Sequence, residues 1–153
     1  MYSCRKLRDD LVYVGVEDRR LHLFENLFPL DRGVSYNSYL LLDEKTVLLD
    51  TCDQTVLVIN HMEPDHCGSI QDLYEKYPKL SIISNAKTFQ MLDQFYQMTI
   101  PADRKVEVKE GDEFSVGRHT LKFVFAPMVH WPEVMFTYDM TDKTLFSADA
   151  FGV

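Results

Sequence analysis

The chain has 153 residues, of which 46% are hydrophobic, and carries a formal net charge of −8. This length suits one domain with a real core, and the acidic balance argues against nucleic-acid binding, which favours a basic surface. Three cysteines without paired spacing argue against a disulfide framework and favour a reducing compartment. No signal peptide and no apolar run of membrane-spanning length are evident. We therefore expect a soluble, cytoplasmic protein.

The first part of the chain predicts two β-hairpins. Residues 11–16 and 21–24 have strand-like patterns on either side of a charged turn, and residues 35–42 and 46–50 surround a turn at 43–45. A short link then leads from Asp50 into the apolar strand 55–59. A parallel crossover needs a dozen or more residues. The sequence therefore predicts either a hairpin between these two strands or residues missing from the link.

The middle of the chain predicts a helix over 69–77, a buried strand over 80–84 and a helix over 86–97. Residues 69–72 have the pattern of a capping box at the start of the first helix. This alternation of strands and helices implies a layered α/β arrangement. The remainder predicts short strands separated by glycines and a turn, over residues 105–108, 113–116, 119–126, 134–138 and 144–147.

Four potential metal ligands follow the strand 55–59 within six residues, namely His61, Glu63, Asp65 and His66. Alternate residues of an extended segment point to the same side, so we expect the first three to form a fan, with His66 turning back towards it. Burying two carboxylates and two imidazoles costs several kcal/mol unless their charge is compensated. A metal is the simplest compensation, and such a fan could hold two ions.

Two further candidates, His130 and Asp149, also follow apolar strands. Taken alone, each is more often a structural histidine or a turn aspartate, but loops at strand ends commonly assemble one site. The combined set is rich in carboxylates and suits iron or manganese better than zinc. Cys67 is interpreted as a small buried residue, and His22 and His119 as structural or surface residues.

These motifs resemble one known family. The pattern HxExDHxGS over residues 61–69, with residues 33–39, 130–133 and 147–149, is similar to the flavodiiron proteins, or A-type flavoproteins, and the resemblance covers most of the chain. That family shares the αββα sandwich of the metallo-β-lactamases, an α/β fold, but has a glutamate, here Glu63, where the hydrolases have a second histidine. The resemblance implies that residues 1–153 form the N-terminal half of such a sandwich.

The resemblance also implies a non-haem diiron centre that reduces O2 to water, NO to N2O, or both. By position, the resemblance assigns His61, Glu63 and His130 to one iron and Asp65 and His66 to the other. Asp149 would bridge the two ions. FMN in a flavodoxin-like domain outside this chain would supply electrons, and a donor such as rubredoxin or a flavin reductase would reduce the FMN. A homodimer, or association with the missing half, is implied as well.

The sequence departs from the family pattern in two places. The crossover helix expected between Asp50 and Thr55 is absent, and the chain lacks the late histidine that completes the second iron, together with the flavodoxin domain. We therefore expect a partial metallo-β-lactamase-like domain over 1–153 that belongs to a longer or split protein.

Two alternative functions remain open from the sequence. The first is a zinc-dependent hydrolase in which metal-bound hydroxide attacks an ester, amide or phosphodiester, against which Glu63 argues. The second is a non-catalytic subunit that partners another chain. Near the candidate ligands, Trp131, Tyr138 and Phe151 are expected to pack in the core rather than to wall a pocket.

Overall fold

The computed structural model describes residues 4–18, 23–24, 28–29, 34–50 and 56–151. Most of this part consists of two β-sheets, with helices packed against one of them. The strands of the larger sheet follow one another in space as β1 (Arg5–Lys6), β2 (Leu11–Tyr13), β7 (Tyr39–Leu41), β8 (Val47–Leu49), β9 (Val56–Val58), β10 (Ser81–Asn85) and β11 (Lys105–Val108).

The second sheet is a four-stranded antiparallel meander. Its strands are β12 (Glu113–Ser115), β13 (Thr120–Phe125), β14 (Met135–Asp139) and β15 (Thr144–Phe146). Two small ribbons pair β3 (Val16–Asp18) with β6 (Val34–Tyr36) and β4 (Leu23–Phe24) with β5 (Phe28–Pro29). The helices are α1 (Pro64–Cys67), α2 (Ile70–Lys76) and α3 (Ala86–Tyr96), and a 3₁₀ turn spans Ala102–Arg104. None of these helices is long and apolar enough to cross a bilayer.

Both faces of the larger sheet are buried, which explains why its central strands are apolar at successive positions. In β8, Val47 and Leu49 face the second sheet, whereas Leu48 faces the helices. The same alternation separates Val58 from Leu57 in β9. Two hydrophobic cores result, one between the sheets and one between the larger sheet and the helices. This confirms the predicted layered α/β arrangement, and the described residues supply an αββ stack.

One of the two predicted hairpins is confirmed. β7 and β8 are antiparallel with Tyr39 opposite Leu49, around the expected turn. The hairpin between 11–16 and 21–24 is wrong, because β2 lies between β1 and β7, and β3 pairs with β6. Pairing with β7 sets Leu11 opposite Leu41, and both side chains lie in the core between the sheets. Burial thus overrode the local turn signal, and residues 21–22 lie outside the described residues.

Of the two alternatives for the strands before and after Asp50, the hairpin is wrong, and residues missing from the link remain a prediction. β8 and β9 are parallel neighbours, with Val47 opposite Val56 and Leu49 opposite Val58. β9 is likewise parallel to β10, so it lies in the middle of a parallel set. The link itself, residues 51–55, lies outside the described residues.

The remaining predicted elements are confirmed, including both helices and the five late strands, with ends shifted by at most one residue. Their caps differ from one another. Ser69 precedes α2 but makes no side-chain capping hydrogen bond, so the predicted capping box is not formed. Asn85 caps α3, because its side-chain oxygen accepts a hydrogen bond from the Thr88 amide.

The core between the sheets gives a first test of the fold. Leu121 in β13 is fully buried, whereas Leu145 in β15 of the same sheet is 44% exposed. We expect Leu121→Ala to lower the free energy of unfolding by about 2–5 kcal/mol, because it leaves a cavity. The matched control Leu145→Ala should change it by less than about 0.5 kcal/mol. Urea unfolding followed by circular dichroism measures both, and equal effects would contradict the described packing.

Candidate metal centre

Three chain connections converge at one end of the two sheets. The first follows β9 and continues into α1, the second joins β13 to β14, and the third follows β15. Asn60, in the first connection, accepts a hydrogen bond from the Met135 amide at 3.0 Å through its backbone oxygen. Its side-chain oxygen accepts a hydrogen bond from the Thr137 hydroxyl at 2.7 Å. These contacts fix the first connection against the second sheet.

The first candidate ligand group consists of His61, Glu63, His130 and Asp149, whose ligand atoms lie within 4.8 Å of one another. Glu63 Oε2 lies 3.0 Å from both His61 Nε2 and His130 Nε2. Asp149 Oδ2 lies 3.6 Å from His61 Nε2 and 3.4 Å from His130 Nε2. All three connections thus contribute to one group, although its members are up to 88 positions apart in sequence.

A second group consists of Asp65, His66 and Asp149. His66 Nε2 lies 2.8 Å from Asp149 Oδ1 and 3.6 Å from Asp65 Oδ2. Asp149 therefore belongs to both groups and points a different carboxylate oxygen at each. The structure brings together all six residues singled out from the sequence.

The local backbone differs from the extended fan predicted from the sequence. Asp65 and His66 lie on the one-turn helix α1, so the extended geometry ends at Glu63. Pro64 occupies the first turn of this helix, where its fixed φ is favourable and its missing N–H costs nothing. At Gly68, a Cβ atom would lie 2.6 Å from the Pro64 carbonyl oxygen, so only glycine fits without displacement.

The two groups are buried on one side and open on the other. The His61 and Glu63 side chains are 1% and 8% exposed, whereas those of His130 and Asp149 are 55% and 41% exposed. Trp131 packs edge-on against His61, with ring centroids 5.3 Å apart, and lies against the helix-side core. The open side is therefore the one formed by the second and third connections.

The three aromatic residues expected in the core have different environments. Trp131 does pack in the core, where it also walls the site. Tyr138 lies in β14 and is partly buried. Phe151 is 81% exposed, so its expected core position is wrong. Its ring meets Phe136 on the surface at 6.2 Å, beyond the end of β15.

Two buried carboxylates behind the histidines were not singled out from the sequence. Glu133 Oε1 accepts hydrogen bonds from His61 Nδ1 at 2.8 Å and from the Met62 amide at 2.9 Å. Asp50 lies behind His66, with Oδ2 3.7 Å from Nδ1. The sequence carried one signal for each, because both are acidic residues that adjoin an apolar strand and a candidate ligand loop.

The charges in this cluster depend on one another. Burial disfavours a charged His66 ring, but hydrogen bonds to Asp149 and Asp50 outweigh it and raise the pKa of His66 to about 10. The hydrogen bond from His66, working against burial, lowers the pKa of Asp149 to about 2. Burial raises the pKa of Asp65, with the neighbouring carboxylates adding to this effect. Without a metal, imidazolium protons therefore supply the positive charge.

A second cluster of charged residues, which we call the arginine-rich cluster, lies at the opposite ends of β13 and β14. Its ion pairs differ from those of the candidate metal centre. In the arginine-rich cluster, Arg118 pairs with Asp10 and Asp142, and Arg8 also lies beside Asp142. His119 is buried and bonded to Asp139 at 2.9 Å, so its structural interpretation is confirmed. In the candidate metal centre, by contrast, the ion-pair partners within the described ranges are all histidines.

The donor atoms fit metal ions. Neighbouring ligands of one ion lie ~3.0–3.4 Å apart when its bonds are ~2.1 Å long, and most donor pairs here are separated by 2.8–3.6 Å. Asp65 Oδ1 is buried without a hydrogen-bond partner among the described residues, which leaves it free for a cation. Cys67 is buried and its thiol donates to the His61 carbonyl, so it is a packing residue, as expected.

Comparison with known proteins identifies similar chains. The family model described as "ODP family beta lactamase" matches residues 35–153. A nitric oxide reductase of Moorella thermoacetica is 32% identical over 166 residues, covering 95% of this chain and 41% of that protein. The chain therefore spans less than half the length of this curated relative, and it spans a similar or smaller share of others.

Solved structures show the same similarity. The flavodiiron protein from Giardia intestinalis superposes with a TM-score of 0.88 at 28% identity, covering 99% of this chain and 41% of that one. The rubredoxin oxygen:oxidoreductase from Desulfovibrio gigas superposes with a TM-score of 0.87 at 27% identity, covering 95% of this chain and 40% of that one. The predicted metallo-β-lactamase-like α/β fold is confirmed.

The raised pKa of His66 predicts how the metal-free protein responds to alkali. Its pKa in the folded state, about 10, exceeds the ordinary value of 6.5. Its charge therefore stabilises the fold fully below pH ~6.5, and this contribution is lost as the pH rises through ~10. We expect the free energy of unfolding of the metal-free protein to fall across that interval, and to fall less in His66→Gln. Chemical unfolding in the presence of a chelator measures this, and parallel pH profiles for the two proteins would contradict it.

Proposed function

The chain belongs to the ODP family of β-lactamase-like domains, and from this premise we propose that it forms part of a diiron reductase of O2 or NO. The observation that carries the proposal is the position of Asp149. Its two oxygens face separate ligand groups, which is the arrangement that a carboxylate bridging two metal ions requires. A nitric oxide reductase, a flavo-diiron protein and a rubredoxin oxygen:oxidoreductase are all similar to this chain.

In this proposal, one iron is held by His61, Glu63 and His130, the other by Asp65 and His66, with Asp149 between them. Each histidine presents Nε2 to a carboxylate oxygen at 2.8–3.0 Å. The donors are oxygen and nitrogen atoms only, a mixed set that suits iron. The second group has fewer residues, so we propose that a ligand outside residues 1–153 completes it.

When bound, the iron pair supplies electrons to O2 or NO. The chain's own residues control access, because His130 and Asp149 lie on the open side, whereas Trp131 covers His61. Two exposed apolar residues, Met128 and Val129, immediately precede His130. An apolar rim admits a small, uncharged gas at little desolvation cost. Neither Met128 nor Val129 carries a charge that would attract a phosphate or carboxylate substrate.

Electrons must come from elsewhere. We propose that FMN in a flavodoxin-like domain, on the remaining part of a longer protein or on a partner chain, re-reduces the iron. Rubredoxin or a flavin reductase would be the donor to FMN, the former suggested by the name of the Desulfovibrio gigas relative. Residues 1–153 would then be a partial domain that associates with its other half or with a second copy. Cys4 and Cys67 form no disulfide, in keeping with a cytoplasmic location.

A zinc-dependent hydrolase is the weaker alternative. Glu63 lies between the two histidines of the first group, where it adds negative charge to the ion. A carboxylate there makes the ion a weaker Lewis acid than a neutral histidine would, so metal-bound water loses its proton less readily than at an all-histidine site. The same extra charge stabilises oxidised iron, which a redox centre needs.

The arrangement of the ligands predicts which variants lose which iron. We expect ferrous ion added anaerobically to fill two classes of site. Glu63→Gln should weaken the first class, Asp65→Asn the second, and Asp149→Asn both, because only Asp149 lies in both groups. The matched control Asp142→Asn, in the arginine-rich cluster, should retain both. Iron analysis and Mössbauer spectra measure this, and equal retention by Asp149→Asn and Asp142→Asn would contradict the bridge.

Activity is tested on the iron-loaded chain with reduced FMN added as donor. Two NO molecules, two electrons and two protons give one N2O and one water, so N2O formation should match flavin oxidation one to one. Free reduced FMN itself reduces O2 to peroxide, so with O2 the iron-loaded chain should form less peroxide per O2 consumed than the metal-free control. Bound iron with no consumption of either gas beyond that control would refute the reductase for this chain. Two bound zinc ions with turnover of a thioester or lactam would instead establish the hydrolase.

A further inference from the structure

Glu133 lies within the site but is not one of the six candidate ligands. Its side chain is fully buried, yet among the described residues it pairs with no arginine or lysine and approaches one ring, that of His61. Its Oε2 atom has no hydrogen-bond partner among the described residues. A buried carboxylate with one oxygen that accepts no hydrogen bond lowers the stability of the fold. Packing alone therefore does not explain a glutamate at this position.

The hydrogen bonds of Glu133 fix the orientation of His61. Because Oε1 accepts from His61 Nδ1 and from the Met62 amide, it joins the ring and the adjacent backbone at one point. With a proton on Nδ1, the unprotonated Nε2 lone pair of a neutral ring faces Glu63 Oε2 at 3.0 Å and Asp149 Oδ2 at 3.6 Å. A lone pair facing two carboxylates is repulsive unless a cation lies between them. The tautomer that Glu133 selects is thus the metal-binding one.

The position of Glu133 is itself rigidly supported. Its backbone oxygen accepts a hydrogen bond at 2.6 Å from the side chain of Asn85, whose oxygen caps helix α3. Two residues further on, the Met135 amide donates to the Asn60 backbone oxygen. The carboxylate is therefore held between a helix N-terminus and the ligand loop, where a small displacement would rotate His61.

We propose, building on the diiron function above, that Glu133 is a positioning residue that orients His61 and makes it a stronger donor to the first iron. A carboxylate behind a ligating histidine draws the Nδ1 proton towards itself and increases the electron density at Nε2. This favours the oxidised metal and lowers the reduction potential of that iron. Loss of such a partner typically weakens metal binding about 10–100-fold.

The test compares Glu133→Gln with the surface control Glu113→Gln, whose side chain is 47% exposed. Glutamine has the same shape and still accepts from Met62, so the fold is retained while the charge is lost. We expect ferrous affinity at the first site to fall about 10–100-fold and the reduction potential of that iron to rise. The second site should keep its affinity. Chelator competition and a spectroelectrochemical titration measure these quantities without any turnover of O2 or NO.

Cobalt-substituted protein gives a readout specific to orientation. The Nδ1 proton of a bound His61 should appear as a shifted, exchangeable proton signal, which moves in Glu133→Gln and is lost to fast exchange in Glu133→Ala. Unchanged affinity, potential and signal in Glu133→Gln would overturn this inference while leaving the diiron function intact. A wild-type chain that binds neither iron nor cobalt would instead refute the proposed function.

Discussion

The constraint on which this structure depends is the compensation of negative charge at one end of its two sheets. Five carboxylates, Asp50, Glu63, Asp65, Glu133 and Asp149, surround His61, His66 and His130. Two like charges 4 Å apart repel by about 4 kcal/mol at the effective dielectric constant of a protein surface. Protons on His61 and His66, whose pKa values are raised, offset this repulsion in the metal-free chain, and divalent ions would do so more completely. Binding of metal is therefore coupled to the stability of the fold.

The register of the strands brings these charged residues together at one end of the two sheets. In β9, Leu57 and Val58 are buried in different cores, and in β14 Met135 is buried between the sheets, so a slip of one residue in either strand would turn apolar groups towards the wrong layer. The same register determines where the strands end, and hence where His61 and Glu133 begin their approach to each other. The contact between Met135 and Asn60 then connects the two sheets beside the ligands. Packing energy thus holds the like charges together.

Sequence reasoning predicted most of the fold and brought out the six ligand candidates, because each follows an apolar strand and carries a metal-ligating side chain. It failed where tertiary contacts decide. The pairing of β2 with β7 rests on burial of Leu11 against distant residues, which no local pattern records. The ligand loop contains the one-turn helix α1, which begins at Pro64, where the sequence predicted an extended fan. Glu133 was overlooked because an acidic residue beside a strand and a ligand loop can equally lie on the surface, and its zero exposure is known only from the structure.

The link between β8 and β9 shows how the site can tolerate a change in the chain around it. The alignment with the Moorella thermoacetica protein runs over 166 residues, more than this whole chain contains, so that relative carries segments that are absent here. The family resemblance predicts one such segment in the short link between the parallel strands β8 and β9. Asp50 nevertheless accepts a hydrogen bond from the Asn60 amide at 3.2 Å and lies behind His66. Because the β8–β9 ladder positions Asp50 and Asn60 together, the strand register, rather than the length of the link, determines the geometry of the second ligand group.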